Sequence, residues 1–386
     1  MSDKIKQCLS IPDQSQRLTS SLTLLSQLFS TSPQHSKDFF TDLLKSDLPI
    51  ASIRQILSGA VDLMSKLPNN SMLEIGTHCL DLVAPRSTSF EDEEVKIREQ
   101  LYDVYCAKKD YLSAARVLSA LNFEAFSRSL TTEVKCDKYI KIAECYLEAG
   151  ESAYAEQYNS KAGALIENCQ EISLKLRYKV CHARVLDCNK DFLQAGRNYY
   201  FLSQEGKYGV MESDLLQLLQ CAITCAILAK AGTQRSRLLA TLYQDERSSH
   251  LENYDILTKL FMQRIIKQND VEKFSEKLQN HHKAKLSSGR TVLETAMIEH
   301  NIIAISKLYC NLTFQELGEL LGVTSLQAER YLADMVQEGR MKAVLDQRNG
   351  MVEFEGENEG LEEWENQINL LCKSVEDTVR EMQSVF

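Results

Sequence analysis

A chain of 386 residues that is 44% hydrophobic has enough apolar material for two or three packed domains of roughly 100 to 200 residues each. Its formal net charge of -10 means that no long-range field draws in a phosphate backbone. The opening stretch MSDKIKQCLS lacks the apolar core of a secretion signal, and no run approaches the roughly 18 apolar residues of a membrane span. The expected location is therefore cytoplasmic and nuclear, with no membrane partner.

Twelve cysteines are scattered through helical patterns, where they read as small buried apolar residues in a reducing compartment and not as a disulfide framework. Four of the five prolines, Pro12, Pro33, Pro49 and Pro68, lie in the first seventy residues, and Pro85 is the last. About 300 residues without proline predict long helices joined by tight turns.

Residues 1–90 read as short helices, DFFTDLLKSDL among them, with no clear repeat period. Residues 91–290 read as a helical-repeat solenoid. The segments CAKKDYLSAARVL, CYLEAGESAYAEQY, LDCNKDFLQAGRNYY and AILAKAGTQRSRLL turn at Asp110, Gly150, Lys190 and near Gly232, and Ala115, Ala155 and Ala195 keep a spacing of 40 residues. That period belongs to stacked helix pairs in which a small residue lets the second helix sit close to the first. Leu101, Val104, Tyr105 and Lys108 follow the helical period, with the lysine stem closing the apolar set. LLQLLQCAITCAILAK, apolar nearly all round, predicts an inner helix.

Before the next helix, the basic stretch NHHKAKLSSGR carries His281, His282, Lys283, Lys285 and Arg290. It reads either as a mobile loop that meets an acidic partner or as a solvated linker.

Residues 291–356 read as a winged helix. Thr313 with Glu316 predicts a capping box and Gly322 stops that helix; Thr324 with Gln327 predicts a second capping box for the next helix, which ends at Gly339. Two helices joined by a two-residue turn make a helix-turn-helix. Ala328, Leu332, Met335 and Val336 form the inward stripe, leaving Gln327, Arg330, Asp334 and Gln337 outward. LDQRNGMVEF then predicts a hairpin with a type I′ turn at Asn349-Gly350, pairing Asp346 with Glu353 and Leu345 with Phe354. Ala343, Leu345, Val352 and Phe354 would share the core face.

From Leu312 to Glu355 there are eight acidic residues against four basic ones, the reverse of what a DNA-binding wing needs. Nucleic acid is therefore not an expected partner. Such a wing either offers a strand edge to another protein or caps its own core.

Residues 360–386 read as a long C-terminal helix with a heptad seam through Leu361, Trp364, Ile368, Leu371, Val375, Val379, Met382 and Phe386. The seam either joins a bundle of partner helices or folds back on the chain itself.

The chain contains no H-E-x-x-H, C-x-x-C, G-x-x-x-x-G-K-[ST], G-x-G-x-x-G or G-x-S-x-G. Cys221 and Cys225 lie one helical turn apart without further ligands nearby in sequence. No catalytic residue, cofactor or metal is expected.

The layout of helical repeat, winged helix and terminal helix resembles the PCI family, which forms scaffolds of the proteasome lid, the COP-9 signalosome and a translation initiation factor. The fold class is thus mainly α: a right-handed superhelical solenoid of helix pairs (TPR/HEAT-like), followed by a winged-helix (PCI) domain and a long C-terminal helix. IEHNIIAISKLYCNLTFQELGELLGV, EGRMKAVLDQRNGMVEFE and LEEWENQINLLC resemble the C-terminal third of a signalosome member, and KDFLQAGRNYY and KDYLSAARVL resemble its repeats.

The resemblance implies a non-catalytic subunit of the complex that removes Nedd8 from cullins, with the isopeptidase on another subunit. The implied partners are the other signalosome subunits, namely PCI neighbours and the metalloprotease-like pair, together with the cullin-RING ligase. A proteasome-lid scaffold is the related alternative, and a winged-helix nucleic-acid binder the one from another class. The resemblance also implies that the wing edge is the strand Met351, Val352, Glu353 and Phe354. The bundle contact is then Trp364, Ile368, Leu371, Val375 and Val379. A loop before the winged helix, here Asn280 to Arg290, would help to relay substrate binding.

Overall fold

Proline marks where the first helices begin. In the computed structural model, residues 11–354 are described except 12, 32, 47, 122, 124–130, 206–210 and 285–288, together with residues 8, 364, 367, 368, 371, 374 and 375. Helices α1 (Gln14–Thr31), α2 (Pro33–Lys45), α3 (Ile50–Met64) and α4 (Asn69–Val83) open the chain. Pro49 and Pro68 immediately precede the first turns of α3 and α4, where a missing N–H costs no helical bond. At 13 to 18 residues these helices are longer than the sequence pattern suggests. They bury one core around Leu25, Phe39, Phe40, Leu43, Ile56 and Leu57. Phe39 and Phe40 meet edge to face at 5.9 Å.

The chain divides into two compact units, residues 1–189 and 190–386. In the first, α5 (Glu91–Ala107), α6 (Tyr111–Ser119), α7 (Thr132–Glu148), α8 (Ser152–Ile166) and α9 (Ile172–Cys188) follow α4, each packing on its neighbours. α5 shares the core of α1 to α4 through Ile97 and Leu101.

The 40-residue period is visible in the backbone. Left-handed residues close α5, α7 and α9 at Lys109 (φ 61°), Gly150 (φ 83°) and Lys190 (φ 67°). Ala115, Ala155 and Ala195, five or six residues beyond, are all fully buried. The fourth turn differs, since Gly232 is extended at φ 163°. Lys108 does not close the apolar set: it is exposed, and its Nζ donates to Asn70 Oδ1 at 2.6 Å, because a C-terminal lysine reaches water more cheaply than core.

Cysteines serve as core residues. Cys79, Cys136, Cys145 and Cys181 are buried, and burial pushes each thiol up to about 12.

In the second unit come α10 (Phe192–Gln204), α11 (Glu212–Leu228), α12 (Thr233–Gln244), α13 (Tyr254–Phe261), α14 (Gln268–Glu276) and α15 (Val292–Ser306). The C-terminal half of α11 is buried, as its apolar sequence requires. Buried Arg235 donates to the carbonyls of Ala226 (2.9 Å) and Ile227 (2.8 Å), satisfying groups that the end of α11 leaves open. Burial lowers its guanidinium to about 10.

Helix α15 starts at a capping box, Thr291 with Glu294, and is buried on nearly every side. Three consecutive buried side chains, Glu299, His300 and Asn301, are polar and need partners. Glu299 binds both arms of Arg340, at 2.6 and 3.0 Å, and accepts the Ala231 N–H at 3.1 Å. His300, which burial lowers to about 4, sets Nε2 3.0 Å from the Arg264 carbonyl. Asn301 accepts from Ile266 N–H at 2.8 Å and donates to its carbonyl at 3.0 Å.

The winged helix follows: β1 (Asn311–Thr313), α16 (Phe314–Leu321), α17 (Ser325–Gln337), β2 (Ala343–Asp346) and β3 (Met351–Phe354). It packs on α15 through Ile298, Ile302 and Ile305 against Leu317, Leu332, Met335 and Val352.

Two measurements test this packing. Ala155→Leu should destabilise the first unit by about 1 to 3 kcal/mol through overpacking, seen in denaturant unfolding. Glu299→Ala should cost about 3 kcal/mol by leaving the half-buried Arg340 with only the exposed Glu338 carboxylate as counter-charge and the Ala231 N–H without its acceptor, and a Glu299→Leu, Arg340→Leu double variant should cost less than the sum of its parts.

Candidate docking surface on the winged helix

Of the two capping boxes expected in the helix-turn-helix, the one at Thr313 is complete and the one at Thr324 is half formed, the Gln327 carboxamide oxygen accepting from Arg290 instead. Thr313 Oγ1 accepts from Glu316 N–H while the Glu316 carboxylate accepts from Thr313 N–H, which holds Glu316 below the usual carboxylate range. Thr324 accepts from Gln327 N–H, and Gly322 ends α16 in the left-handed region. Gly318 is required by the tight turn, since a Cβ there would lie 2.8 Å from the Val323 carbonyl oxygen. Ala328, Leu332 and Met335 are buried and Val336 is half-buried, while Gln327, Arg330, Asp334 and Gln337 are exposed.

The hairpin differs from the sequence expectation in register. Ala343 opposes Phe354, Val344 opposes Glu353, Leu345 opposes Val352 and Asp346 opposes Met351. The loop is therefore the four residues 347–350, and it is not a type I′ turn. Only Gly350 in it has positive φ, at 66°. The cause is Asp346, whose carboxylate accepts from the N–H groups of Arg348 (3.0 Å) and Asn349 (3.1 Å) and from the Asn349 side chain (2.7 Å). The Asn349 backbone N–H, foremost among these, holds Asp346 below the usual carboxylate range. Because the shift is two residues, alternation is preserved. Val352 and Phe354 are buried and Ala343 and Leu345 half-buried, as expected. Asp346 and Glu353, however, are diagonal neighbours and not an opposed like-charge pair.

A second correction concerns the edge. The sheet order is β1-β3-β2, so the strand from Met351 to Phe354 is central. Its main-chain groups are shared with Asn311–Thr313 on one side and Ala343–Asp346 on the other, leaving no edge for another chain. Within it, Val352 and Phe354 are buried, while Met351 and Glu353 face solvent.

The edges are β1 and β2. Phe354 N–H bonds Cys310 O and Phe314 N–H bonds Gly350 O, both at 2.8 Å, so the even-numbered residues of β3 bond toward β1. Antiparallel alternation then directs Met351 and Glu353 to Asp346 and Val344. The N–H and C=O groups of Ala343 and Leu345 consequently project from the open side of β2. On β1, Thr313 N–H is already used by its capping box, which leaves β2 as the better-furnished edge. Val344 beside it is 53% exposed. Sequence reasoning missed this because β1 is only three residues long, and its sole sign is one apolar residue, Leu312, in NLT.

The basic residues are fewer than the sequence count suggests. Arg340 is committed to Glu299 and Glu338. Arg290 donates to Gln327 on the outward face of α17, at 3.1 Å. Glu329 there accepts from Gln347.

Of the other candidate residues, His282 is buried, its ring 6.0 Å from that of Phe192. His281 is half-buried and Lys283 exposed, in a short 3-10 turn (Asn280–Lys283). Thus His282 is a packed residue and not part of a solvated loop, because its ring is apolar enough to fill the space beside an aromatic neighbour. Lys285 lies outside the described residues. Trp364, Ile368, Leu371 and Val375 are helical and exposed, and Val379 lies outside the described residues.

The charge balance makes a direct prediction: filter binding to duplex DNA at low salt should show no salt-sensitive retention, and Arg330→Glu or Arg348→Glu should change nothing.

A family model described as PSMD12/CSN4, N-terminal, matches residues 9–208, and a PCI domain model matches residues 254–356. COP9 signalosome complex subunit 4 of Arabidopsis thaliana is 38% identical over 383 residues, covering 98% of this chain and 96% of the relative. The proteins of that name from Dictyostelium discoideum and Drosophila melanogaster are 39% and 37% identical, covering 87% and 89% of this chain and 85% and 84% of the relatives. With stacked helix pairs ahead of a winged helix and relatives matched over most of its length, the chain belongs to the family of COP9 signalosome complex subunit 4, within the PCI-domain proteins.

Proposed function

We propose that this chain is a non-catalytic scaffold and regulatory subunit of a COP9 signalosome, supporting removal of Nedd8 from the cullins of cullin-RING ubiquitin ligases. The observation that carries this reading is the open edge of β2, backed by a small sheet with apolar Val344 and Met351 on its solvent face. Such an edge is completed by a strand from another subunit. The exposed helical residues Trp364, Ile368, Leu371 and Val375 add a second apolar contact, suited to a helical bundle of partner subunits. Its partners are the other signalosome subunits, its PCI neighbours and the metalloprotease-like pair, and through them the cullin-RING ligase. Its location is the cytoplasm and nucleus.

Affinity purification followed by mass spectrometry tests the assignment. Signalosome subunits and cullins should be recovered; proteasome lid and ATPase subunits without cullins would overturn it. Two sets of variants divide the contact. Ala343→Pro removes an outward N–H from β2 without breaking a bond to β3, so the domain should stay folded while PCI neighbours are lost. Trp364→Asp and Ile368→Asp should release the chain from the complex with its thermal unfolding unchanged. Recovery of every partner with both sets would show that neither surface assembles the complex.

A further inference from the structure

The open edge strand β2 carries its own complement. Its free side presents the N–H and C=O of Ala343 and of Leu345, and no hydrogen bond among the described residues uses them. On the solvent face the stretch KAVLD sets exposed Lys342 and exposed Asp346 two residues to either side of Val344, which is 53% exposed. Turned end for end, the order cation, apolar residue, anion becomes its own opposite. Asp346 keeps its negative charge, because the loop donors at Arg348 and Asn349 hold it below the usual carboxylate range.

We propose that, outside the complex, the β2 edges of two copies of this chain pair antiparallel about a two-fold axis at Val344. Main chain and side chains select this register independently. With the axis at Val344, Ala343 lies opposite Leu345 of the second copy, so every open N–H and C=O of one edge meets its counterpart on the other. Val344 then meets its own symmetry mate at the non-hydrogen-bonded position that antiparallel alternation requires. The same register sets Lys342 across from Asp346 of the second copy, and Asp346 across from its Lys342, at positions where side chains approach most closely. Moving the axis to Ala343 or Leu345 would leave Val344 against a charge, and in-register parallel pairing would oppose like charges. The pairing joins the two small sheets into one and brings the half-buried Ala343 and Leu345 of the two copies side by side on the core face. One strand of four residues buries far less than a standard interface, so the dimer is weak and yields to a subunit strand that matches β2 better. This inference rests on the reading of β2 as the assembly edge, and adds that in the free chain a second copy masks it.

Sedimentation equilibrium of the full chain tests this, in a parent carrying Trp364→Asp and Ile368→Asp so that the exposed helical residues cannot self-associate. A reversible dimer should appear between about 1 and 200 μM, and a monomer throughout that range would overturn the proposal. Lys342→Asp and Asp346→Lys should each weaken the dimer at least about tenfold, since each sets like charges across the seam. An equimolar mixture of these two variants should form a heterodimer about as tight as the parent dimer, because every cross-strand pair is again of opposite sign; that rescue also shows both to be folded. With oxidised glutathione, Val344→Cys should cross-link well above the parent chain, because only Val344 meets itself, and Lys342→Cys should not. Absence of rescue, or equal cross-linking at both positions, would overturn the proposal. Ala343→Pro separates this inference from the assembly reading. If it loses the PCI neighbours while the parent is monomeric, self-pairing alone fails; if it abolishes a parent dimer yet recovers every neighbour, self-pairing stands and the assembly reading fails.

Discussion

Three adjacent polar residues inside a buried helix set the organisation of the second unit. Glu299, His300 and Asn301 lie in the middle of α15, where an unsatisfied polar group costs about 1 to 3 kcal/mol and an unpaired charge more. Each is met by a different part of the chain. Arg340, just after α17, closes on Glu299; the Arg264 carbonyl takes His300; both main-chain groups of Ile266 take Asn301. Apolar packing alone would let the winged helix slide or rotate on α15. The bidentate Arg340 pair, which also reaches the Ala231 carbonyl, fixes one orientation and joins the end of the α11–α12 turn to the start of β2.

That orientation decides what the winged helix can offer. With Arg340 drawn inward and Arg290 lying on Gln327, the face that reads DNA in other winged helices is left with one exposed arginine among carboxylates. What remains outward is a strand edge. β3 is inserted between β1 and β2, so the edge passes to β2, whose alternate main-chain groups are open at Ala343 and Leu345. Edge strands of this kind associate unless they are blocked, and no proline or bulge protects this one.

The same helix holds the stretch from Arg264 to Ile266. The Asn301 side chain bonds both main-chain groups of Ile266 as a neighbouring strand would, which fixes the stretch between α13 and α14 on α15. The strand β2, held by the single ladder to β3, has only half of its hydrogen-bonding capacity filled.

Local features were legible in the residues themselves. The turns near 110, 150 and 190, the buried alanines five residues on, the caps at Thr313 and Thr324 and the stop at Gly322 all follow from contacts within a few residues, which sequence spacing encodes directly. The core face of the hairpin was legible for the same reason, since alternation survives a two-residue shift. The hairpin register was not, because it turned on whether Asp346 would cap the loop instead of pairing across it. Nor was the sheet order, which depends on a three-residue strand more than thirty residues upstream of its partner. The pairing of Arg340 with Glu299 spans 41 residues, and no spacing rule distinguishes that arginine from Arg330 or Arg348. By itself, then, the sequence determined the helices, their caps and the acidic character of the wing. The tertiary structure decided which strand is the edge and which charges are spent inside, because both depend on partners brought together only when α15 is buried.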